Sequence, residues 1–451
     1  MPVTNRFNNI DSKEWLPFQK SWFVYDNDEK LYRSNIRFFT QINEDNPKPN
    51  VFYKGENLNT FKLQCEVERR ALKVNSNAEN LSFALIDLRS QFKDLDDYLN
   101  QKPNIIEECL HIYQGLQHRK FLCILIENIE GEVFEPIAWD LAQSLKNHYS
   151  LKDEKIGGNK PGEKLEGDRV FYTLYFRKDE KSQVQKPSLD YKYRTEPFRE
   201  IRNDLGAWQV IRPPRRNKNE ILHPAKYPEA LITHFVEYFT KKGDNVFDPM
   251  SGTGSSQLAA LQLERNAFGT ELSPFFHKIA VERCNGNLLT SENECKIELE
   301  DAKNAAQLNF PKIDYLITSP PYWDMLNMKG AEYQARRKEK GLQLNYSDHE
   351  SDLGNIANYN QFLNDLVEVY KECDKIMKSG AFATIIVKNI KKKGSNYPFA
   401  WDLSEKLCEI GWKLLPEFFW CQDDINLAPY GYGNTWVSNT FHQYCLNFRK
   451  E

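Results

Sequence analysis

The sequence predicts an α/β protein built on a mostly parallel, doubly wound sheet, with a further α/β domain before it in the chain. Short apolar runs with turn residues at their ends predict buried strands at 244–248, 266–272, 313–319 and 381–387. Apolar periodicity of the helical kind predicts helices between them at 255–264, 360–377 and 401–410. Strands that alternate with helices of this length favour a parallel sheet that is covered on both faces.

Composition limits the class of protein before any motif is considered. The 451 residues are 40% hydrophobic and 27% charged, an ordinary globular composition with room for two or three domains. No apolar run is long enough to span a membrane, and the first residues lack the apolar core of a secretory signal. The nine cysteines form no CxxC pair, which argues against a zinc ribbon and predicts reduced thiols in a cytoplasm. Because the net charge is −4, nucleic-acid binding would require local basic patches.

Polar segments predict where the domains divide. Three stretches are typical of loops or linkers and suggest a break near 180–200: 152–168, 178–196 and 211–220. We therefore predict an N-terminal domain at 1–180, a linker with a basic cluster at 181–222, and a second domain at 223–451.

The chain also contains a partial repeat of itself. Three pairs of segments match in the same order along the chain: 126–129 with 387–390, 139–141 with 401–403, and 172–178 with 444–450. We interpret residues 80–178 as a diverged copy of residues 312–450. The alternative is convergent patterning of strand–helix–strand units, which recur in many proteins.

The first candidate site is a strand-to-helix loop, DPMSGTG at 248–254. Its glycines would let a ligand approach the backbone, and the helix that follows offers free backbone N–H groups. Glu271 ends the next strand, where a carboxylate can accept hydrogen bonds from ribose hydroxyls. The loop lacks a third glycine and a Lys-Ser/Thr pair, which excludes a Walker phosphate loop and disfavours a dinucleotide site. Taken alone, the loop could equally be a tight structural turn.

The second candidate site is SPPYW at 319–323, directly after a predicted strand. Prolines cannot continue a sheet, so the chain must turn outward there and hold Ser319 and a backbone carbonyl rigidly. A strand-terminating turn with an aromatic plug is the alternative for this motif alone. If a short segment before Asp301 is the third strand, SPPYW follows the fourth strand, which borders the first in a doubly wound sheet. The two loops would then face one crevice.

Together these motifs resemble those of the DNA amino-methyltransferases, the N4-cytosine and N6-adenine family that uses S-adenosylmethionine. The resemblance covers about 200–450, including HPAKYP at 223–228 and the closing strand at 442–450, and it implies a Rossmann-like methyltransferase domain. The cofactor-binding residues that it implies are Asp248, Met250, Ser251, Gly252, Thr253, Gly254, Glu271 and Asp301. The catalytic residues that it implies are Ser319, Pro320, Pro321 and Tyr322. The Ser form of this motif is more often linked with cytosine N4 and the Asp form with adenine N6.

The order of the two halves departs from the usual β-type order of the family, in which the catalytic half comes first. Here the cofactor half (223–310) precedes the intact catalytic half (312–451), which carries an insert at 324–358. The upstream copy has Leu88-Arg89-Ser90 where SPPY would stand. We interpret this copy as a duplicate that lost its motif and is catalytically silent.

The resemblance implies site-specific methylation of the exocyclic amine of a flipped base in double-stranded DNA, with cytosine N4 as the first expectation. Adenine N6 methylation, RNA methylation and a silent nucleic-acid-binding relative are the alternatives. A cytoplasmic location and a separate restriction endonuclease partner are further expectations, whereas no metal site is expected because the histidines and cysteines lack ligand spacing. The insert and the N-terminal domain are both candidates for DNA recognition. Three basic clusters are candidate phosphate contacts: Arg212, Arg215, Arg216 and Lys218; Arg336, Arg337, Lys338 and Lys340; and Lys388, Lys391, Lys392 and Lys393.

Overall fold

Two α/β units make up the described part of the chain. The computed structural model describes residues 8–146, 148–159, 166–179, 189–197, 205–212, 227–286, 293–323, 351–392, 394–423 and 440–451. We call residues 8–179 the first unit and residues 205–451 the second unit. Among the described residues no helix is both long and apolar enough to cross a membrane.

The first unit is a mixed sheet with helices packed against it. Its strands are β1 (Trp22–Val24), β2 (Asn50–Lys54), β3 (Ala71–Lys73), β4 (Leu81–Asp87), β5 (Leu116–Ile126), β6 (Ile129–Glu130), β7 (Phe134–Glu135), β8 (Ser150–Gly158), β9 (Glu166–Gly167) and β10 (Val170–Arg177). Its helices are α1 (Ser12–Phe18), α2 (Asp28–Phe39), α3 (Leu58–Val67), α4 (Leu95–Gly115) and α5 (Ile137–Leu145). The sheet order is β3-β2-β4-β5-β10-β8-β1. Strand β10 runs antiparallel to both of its neighbours, whereas β6 and β7 form a separate hairpin and β9 belongs to the sheet of the second unit.

The second unit repeats this arrangement. Its strands are β11 (Trp208–Val210), β12 (Asn245–Asp248), β13 (Asn266–Glu271), β14 (Cys295–Leu299), β15 (Ile313–Thr318), β16 (Met377–Val387), β17 (Ile390–Lys392), β18 (Ser395–Tyr397), β19 (Lys413–Leu414), β20 (Phe418–Cys421) and β21 (His442–Arg449). Its helices are α6 (Glu229–Phe239), α7 (Ser255–Gln262), α8 (Pro274–Asn285), α9 (Tyr359–Ile376) and α10 (Phe399–Glu409), with short 3-10 helices at Ala302–Gln307 and Leu353–Asn355. The sheet order is β14-β13-β12-β15-β16-β21-β20-β11-β9.

This second sheet confirms the predicted α/β fold class. Strands β14, β13, β12, β15 and β16 are parallel neighbours, and β21 runs antiparallel beside β16. The fourth strand, β15, therefore borders the first strand, β12. The loops that follow these two strands consequently open at the same edge of the sheet, at its topological switch point.

Local sequence explains where the helices form. Helix α9 begins after Asn358, whose side chain accepts a hydrogen bond from the Gln361 N–H at 3.0 Å. Its buried side chains recur every three or four residues, among them Phe362, Leu366 and Tyr370, so one face packs against the sheet.

The prediction of a loop over 152–168 was wrong for most of its length. Residues 150–158 form β8, and β9 adds a strand to the edge of the second sheet. The segment has a loop-like composition because it contains Asp153, Glu154 and Lys155, yet each of these side chains is at most 2% exposed. Asp153 pairs with Lys391, and Glu154 and Lys155 are hydrogen-bonded by groups in distant parts of the chain, which local composition cannot show.

The predicted linker at 181–222 also contains structure. Strand β11 lies within it and pairs in parallel with β20, with Trp208 opposite Phe419. Trp208 is buried at 1% exposure and packs 6.1 Å from Trp22, ring centroid to ring centroid. This part of the segment is therefore built into the second sheet.

Removing the partner of Asp153 should destabilise the protein strongly. Lys391 Nζ forms an ion pair with Asp153, which is completely buried. Lys391→Met would leave the carboxylate without this cation, so we expect the free energy of unfolding to fall by about 3–5 kcal/mol in urea denaturation. The control is Lys378→Met, because Lys378 is 48% exposed in its pair with Asp314 and we expect a loss of less than about 1 kcal/mol. Equal losses in the two variants would contradict the prediction.

Candidate active site

The carboxylate of Asp248 connects the two candidate loops. This residue ends β12, is fully buried, and accepts hydrogen bonds from Met250 N at 2.9 Å and Thr318 Oγ1 at 2.6 Å through Oδ1. Its Oδ2 accepts from Ser256 Oγ at 2.7 Å and Tyr227 OH at 3.3 Å. Burial raises the pKa of Asp248, and these donors oppose that increase. Because both oxygens are engaged by the protein, Asp248 orders the candidate cofactor loop.

The small residues of the loop set its shape. Gly254 has a φ of +76°, and an added Cβ would lie 3.1 Å from Ala280 in helix α8. Ser251 Oγ donates to the Asp248 carbonyl at 3.1 Å and accepts from Gln257 Nε2 at 2.8 Å. The Thr253 carbonyl accepts a hydrogen bond from Arg283. The loop is thus packed from behind, which leaves Met250 and Gly252 to line the pocket in front of it.

Glu271 supplies a second carboxylate that binds the backbone of this loop. Its Oε2 accepts from Gly252 N at 2.7 Å and its Oε1 accepts from Ser273 N at 2.8 Å. Burial is the main cause that raises the pKa of Glu271 to about 7, and Asp248 and Asp352 add to the increase. The side chain lines the pocket at the end of β13, as the sequence predicts for a residue that binds ribose hydroxyls.

One pocket contains residues from both candidate loops. Its described lining residues are Pro249, Met250, Gly252, Glu271, Leu272, Phe276, Asp301, Ala302, Ser319, Pro321, Ser351, Asp352, Leu353 and Val369. Three of these carry carboxylates and none carries a lysine or arginine. Such a lining suits a cationic ligand that carries hydroxyl and amine donors and an apolar ring. It disfavours a polyphosphate, because the carboxylates would repel the negative charge of the phosphates. The enclosed volume is about 90 Å³, so a nucleoside would also occupy the open mouth of the pocket.

The SPPYW loop turns away from β15 into this pocket. Tyr322 OH lies 3.3 Å from Ser319 Oγ and donates to Gln443 Oε1 at 2.5 Å. Lys388 Nζ lies 5.2 Å from the centroid of the Tyr322 ring. Trp323 adopts a φ of +51° and is buried beneath Lys392, whose Nζ lies 3.6 Å from the ring centroid. The loop is therefore held at its tyrosine and at its tryptophan, with Ser319 facing the cofactor pocket.

Most of the predicted site residues converge on this place. Met250, Gly252, Glu271, Asp301, Ser319 and Pro321 line the pocket. Asp301 also caps the short helix at Ala302–Gln307, because its Oδ1 accepts from Lys303 N at 2.9 Å. Pro320 is buried within the turn, and Tyr322 stands beside Ser319. Asp248, Ser251, Thr253 and Gly254 do not line the pocket but shape the loop behind it.

Sequence reasoning missed several residues of the site. Gln443 holds Tyr322, and Asp352 and Leu353 cover the pocket from the end of the insert. Lys388, predicted only as a phosphate contact, lies beside the Tyr322 ring. No motif marks them, because each comes from a strand or loop that is distant in sequence. Only a residue-by-residue comparison of the closing strand with other members of a family could have singled out Gln443.

The predicted basic clusters are only partly described. Residues 215–218, 336–340 and 393 lie outside the described residues, as do most of the insert and most of HPAKYP at 223–228. Arg212 pairs with Asp423 at 2.7 Å. The prediction that Lys391 contacts phosphate was wrong, because its ammonium group pairs with the buried Asp153. Within the described ranges, no group of His, Cys, Asp and Glu side chains could hold a metal ion.

Comparison with known proteins finds similarity to DNA methyltransferases. A family model described as "DNA methylase", of the N6/N4 methyltransferase kind, matches residues 75–282. The chain is 24% identical over 240 residues to the type II methyltransferase M.HpaI of Haemophilus parainfluenzae, covering 47% of this chain and 71% of that protein. It is 31% identical over 156 residues to M.Cfr9I of Citrobacter freundii, covering 33% of this chain and 50% of that protein.

M.MjaI of Methanocaldococcus jannaschii is 29% identical over 116 residues, which cover 25% of this chain and 38% of that protein. Among solved structures, an rRNA methylase from Streptococcus thermophilus aligns with 51% of this chain at 10% identity and a TM-score of 0.30, too distant to bear on the fold. The family match and the type II relatives show that the chain is similar to the N6/N4 DNA methylases.

Proposed function

We propose that this protein transfers a methyl group from S-adenosylmethionine to the exocyclic amine of a base in double-stranded DNA, and that the base is cytosine, methylated at N4. The observation that carries the proposal is the shared pocket, where Ser319 and Pro321 of the SPPY loop face Glu271 and Asp301 of the cofactor half. The donor set of this pocket fits the proposed cofactor. Its carboxylates can accept from ribose hydroxyls and from the adenine amine, and they complement the positive charge of a sulfonium.

The chemistry requires little from the protein beyond orientation and hydrogen bonding. S-adenosylmethionine supplies a methyl group on a good leaving group. The target amine is a weak nucleophile because its lone pair is delocalised into the ring. Ser319 Oγ and the Pro320 carbonyl can accept hydrogen bonds from this amine and thereby stabilise the charge that develops on nitrogen. We infer that Tyr322 stacks on a flipped base, and burial raises its pKa, so its hydroxyl stays neutral.

The choice of cytosine N4 rests on the serine at the first position of the motif. A serine hydroxyl accepts a hydrogen bond without a full negative charge, whereas an aspartate at this position would place a carboxylate against the amine. The family match is common to N4 and N6 enzymes, so the base itself requires a chemical test.

The test is transfer of labelled methyl groups from S-adenosylmethionine to unmethylated duplex DNA, followed by digestion to nucleosides and identification by mass. We expect N4-methylcytosine. N6-methyladenine would overturn the base assignment and keep the mechanism. Transfer to RNA alone would overturn the DNA assignment, and no transfer to either nucleic acid would overturn the proposed activity.

A further inference from the structure

The likeness between the two units extends beyond the repeat seen in the sequence. In sheet order, β3-β2-β4-β5-β10-β8-β1 of the first unit matches β13-β12-β15-β16-β21-β20-β11 of the second unit, strand for strand. The pair β2 and β3, with helix α3 between them, thus occupies the position of the cofactor-binding β12 and β13. The family match from 75 to 282 runs through both units.

Sheet register relates individual residues of the two units. Phe83 pairs with Phe121 in the first sheet as Tyr315 pairs with Phe382 in the second. This register places Asp87 at the position of Ser319, and it places Tyr53 at the position of Asp248.

The crevice of the first unit is filled by its own side chains. Arg89 pairs with Asp87 at 2.5 Å and with Asp28 at 2.6 Å. Tyr32 OH donates to Asp87 Oδ2 at 2.7 Å and lies 3.1 Å from Tyr53 OH. The place where a cofactor and a catalytic serine would meet is thus occupied by a closed polar network, which leaves a structural role for this unit.

The two units meet through a reciprocal pair of buried glutamates. Glu154 of the first unit accepts from Asn389 Nδ2 at 2.8 Å and Tyr444 OH at 3.0 Å of the second. Glu417 of the second unit accepts from the matching residues of the first, Asn128 Nδ2 at 3.2 Å and Tyr172 OH at 3.3 Å. Trp139 and Trp401 stack between these contacts, with ring centroids 6.4 Å apart. The contact is that of a two-fold dimer within one chain.

The half of the interface that contains Glu154 and Tyr444 involves β21, the strand that contacts the SPPYW loop. Tyr444 and His442 flank Gln443 on β21, and side chains alternate between the faces of a strand. Tyr444 binds Glu154, and the backbone N–H and Nδ1 of His442 lie 3.2 Å and 2.8 Å from Ser21 Oγ. Gln443 points to the opposite face and accepts from Tyr322 OH. The first unit therefore fixes both neighbours of the residue that holds the catalytic tyrosine.

The matching half of the interface, which contains Glu417 and Tyr172, contacts no residue of the SPPYW loop among those described. In the register of the sheets, Phe171 stands where Gln443 stands, and its ring packs 4.9 Å from the guanidinium carbon of Arg89. Tyr172 and Glu417 thus make the same interface contact as Tyr444 and Glu154, but on the silent side. The chain therefore contains its own control for any test of the interface.

We propose that the first unit positions the catalytic tyrosine of the second, with Glu154 and Ser21 fixing β21 so that Gln443 holds Tyr322 beside Ser319. Glu154 and Ser21 are positioning residues, since they touch neither pocket nor substrate. The effect of this arrangement on rate rests on the proposed methyl transfer, but the orientation of Tyr322 can be measured independently of any activity.

The test compares Tyr444→Phe with Tyr172→Phe, each of which removes one interface hydroxyl from a buried glutamate. In the full-length protein labelled with 3-fluorotyrosine, the ¹⁹F resonance of Tyr322 is assigned by its loss in Tyr322→Phe. We expect Tyr444→Phe to shift this resonance and Tyr172→Phe to leave it in place. In the methyl-transfer assay, we expect kcat to fall about tenfold for Tyr444→Phe, with the Kd for S-adenosylmethionine unchanged, and less than about twofold for Tyr172→Phe.

A second pair, Glu154→Gln and Glu417→Gln, repeats the comparison if either tyrosine variant fails to fold. A Tyr322 resonance that shifts equally in both members of a pair, or in neither, would overturn the positioning role. Absence of methyl transfer by the unmodified protein would overturn the proposed function instead, and the resonance would still decide the positioning role.

Discussion

Replacing Ser319 with alanine is expected to reduce methyl transfer on the order of 100-fold or more while S-adenosylmethionine still binds. Ser319 Oγ lines the cofactor pocket and lies 3.3 Å from Tyr322 OH, so it is the side-chain oxygen of the motif that can accept from a target amine. Loss of one preorganised hydrogen-bonding group at a reacting centre typically costs about 100–1000-fold in rate. Single-turnover transfer to duplex DNA measures the rate, and calorimetry measures binding of the cofactor.

The control for this variant lies in the first unit. Ser90 lies in the segment that stands in place of the motif in the silent copy, and its hydroxyl lies 3.4 Å from Glu127. We expect Ser90→Ala to transfer methyl groups at the rate of the unmodified protein. A normal rate in Ser319→Ala would contradict the assignment of this serine. An equal loss of cofactor binding and rate would mean that Ser319 acts on the cofactor and not on the amine.

The sequence was sufficient to predict the sheet and both loops of the site because their determinants are local. Strand β15 ends where Pro320 and Pro321 forbid further pairing, and β12 ends where Gly252 and Gly254 permit a turn with positive φ. Once the strand order is that of a doubly wound sheet, the meeting of these loops follows from topology alone. Here local chemistry and global fold agree, which is the situation in which such reasoning succeeds.

Sequence reasoning failed where the determinants are distant. Strand β8 has the composition of a loop because it carries several charged residues. Their partners lie elsewhere in the fold: Asn389 and Tyr444 donate hydrogen bonds to Glu154 across the interface between the units. Lys155 is buried as well, with burial lowering its pKa to about 7. A buried charge costs free energy unless partners surround it, and only the folded chain shows which partners those are. The same distance hides Gln443, whose role depends on a loop more than a hundred residues upstream.

The affinity for S-adenosylmethionine is expected to depend strongly on pH because of the raised pKa of Glu271. Because burial raises this pKa to about 7, the carboxyl is largely protonated at pH 6 and largely ionised at pH 8. The ionised form is the better acceptor for ribose hydroxyls and the better partner for a sulfonium. We therefore expect the Kd for S-adenosylmethionine to fall about tenfold from pH 6 to pH 8, with release of protons on binding near pH 6. Calorimetry in buffers of different ionisation enthalpy measures both quantities.

The Glu271 carboxyl also makes the stability of the ligand-free protein depend on pH. Cofactor affinity is expected to rise with pH, whereas this contribution to stability falls with pH. The pKa of this carboxyl is raised by folding, so the native state holds a proton between about pH 4.5 and pH 7 that the unfolded chain has released. The stabilisation is complete below that range and is lost as the pH rises through it, by about 3 kcal/mol in total.

Glu271→Gln, which cannot titrate, should remove this contribution to the pH dependence of stability and flatten the pH dependence of binding, at a weaker affinity. Glu298→Gln, on the neighbouring strand, is the control because the Glu298 side chain is 38% exposed and pairs with Lys296. A Glu271→Gln protein that kept the full pH dependence of binding would show that another group in the pocket, Asp301 or Asp352, is the one that senses the cofactor. The acidic lining would then remain the basis of recognition, but the ribose contact would belong to a different strand end.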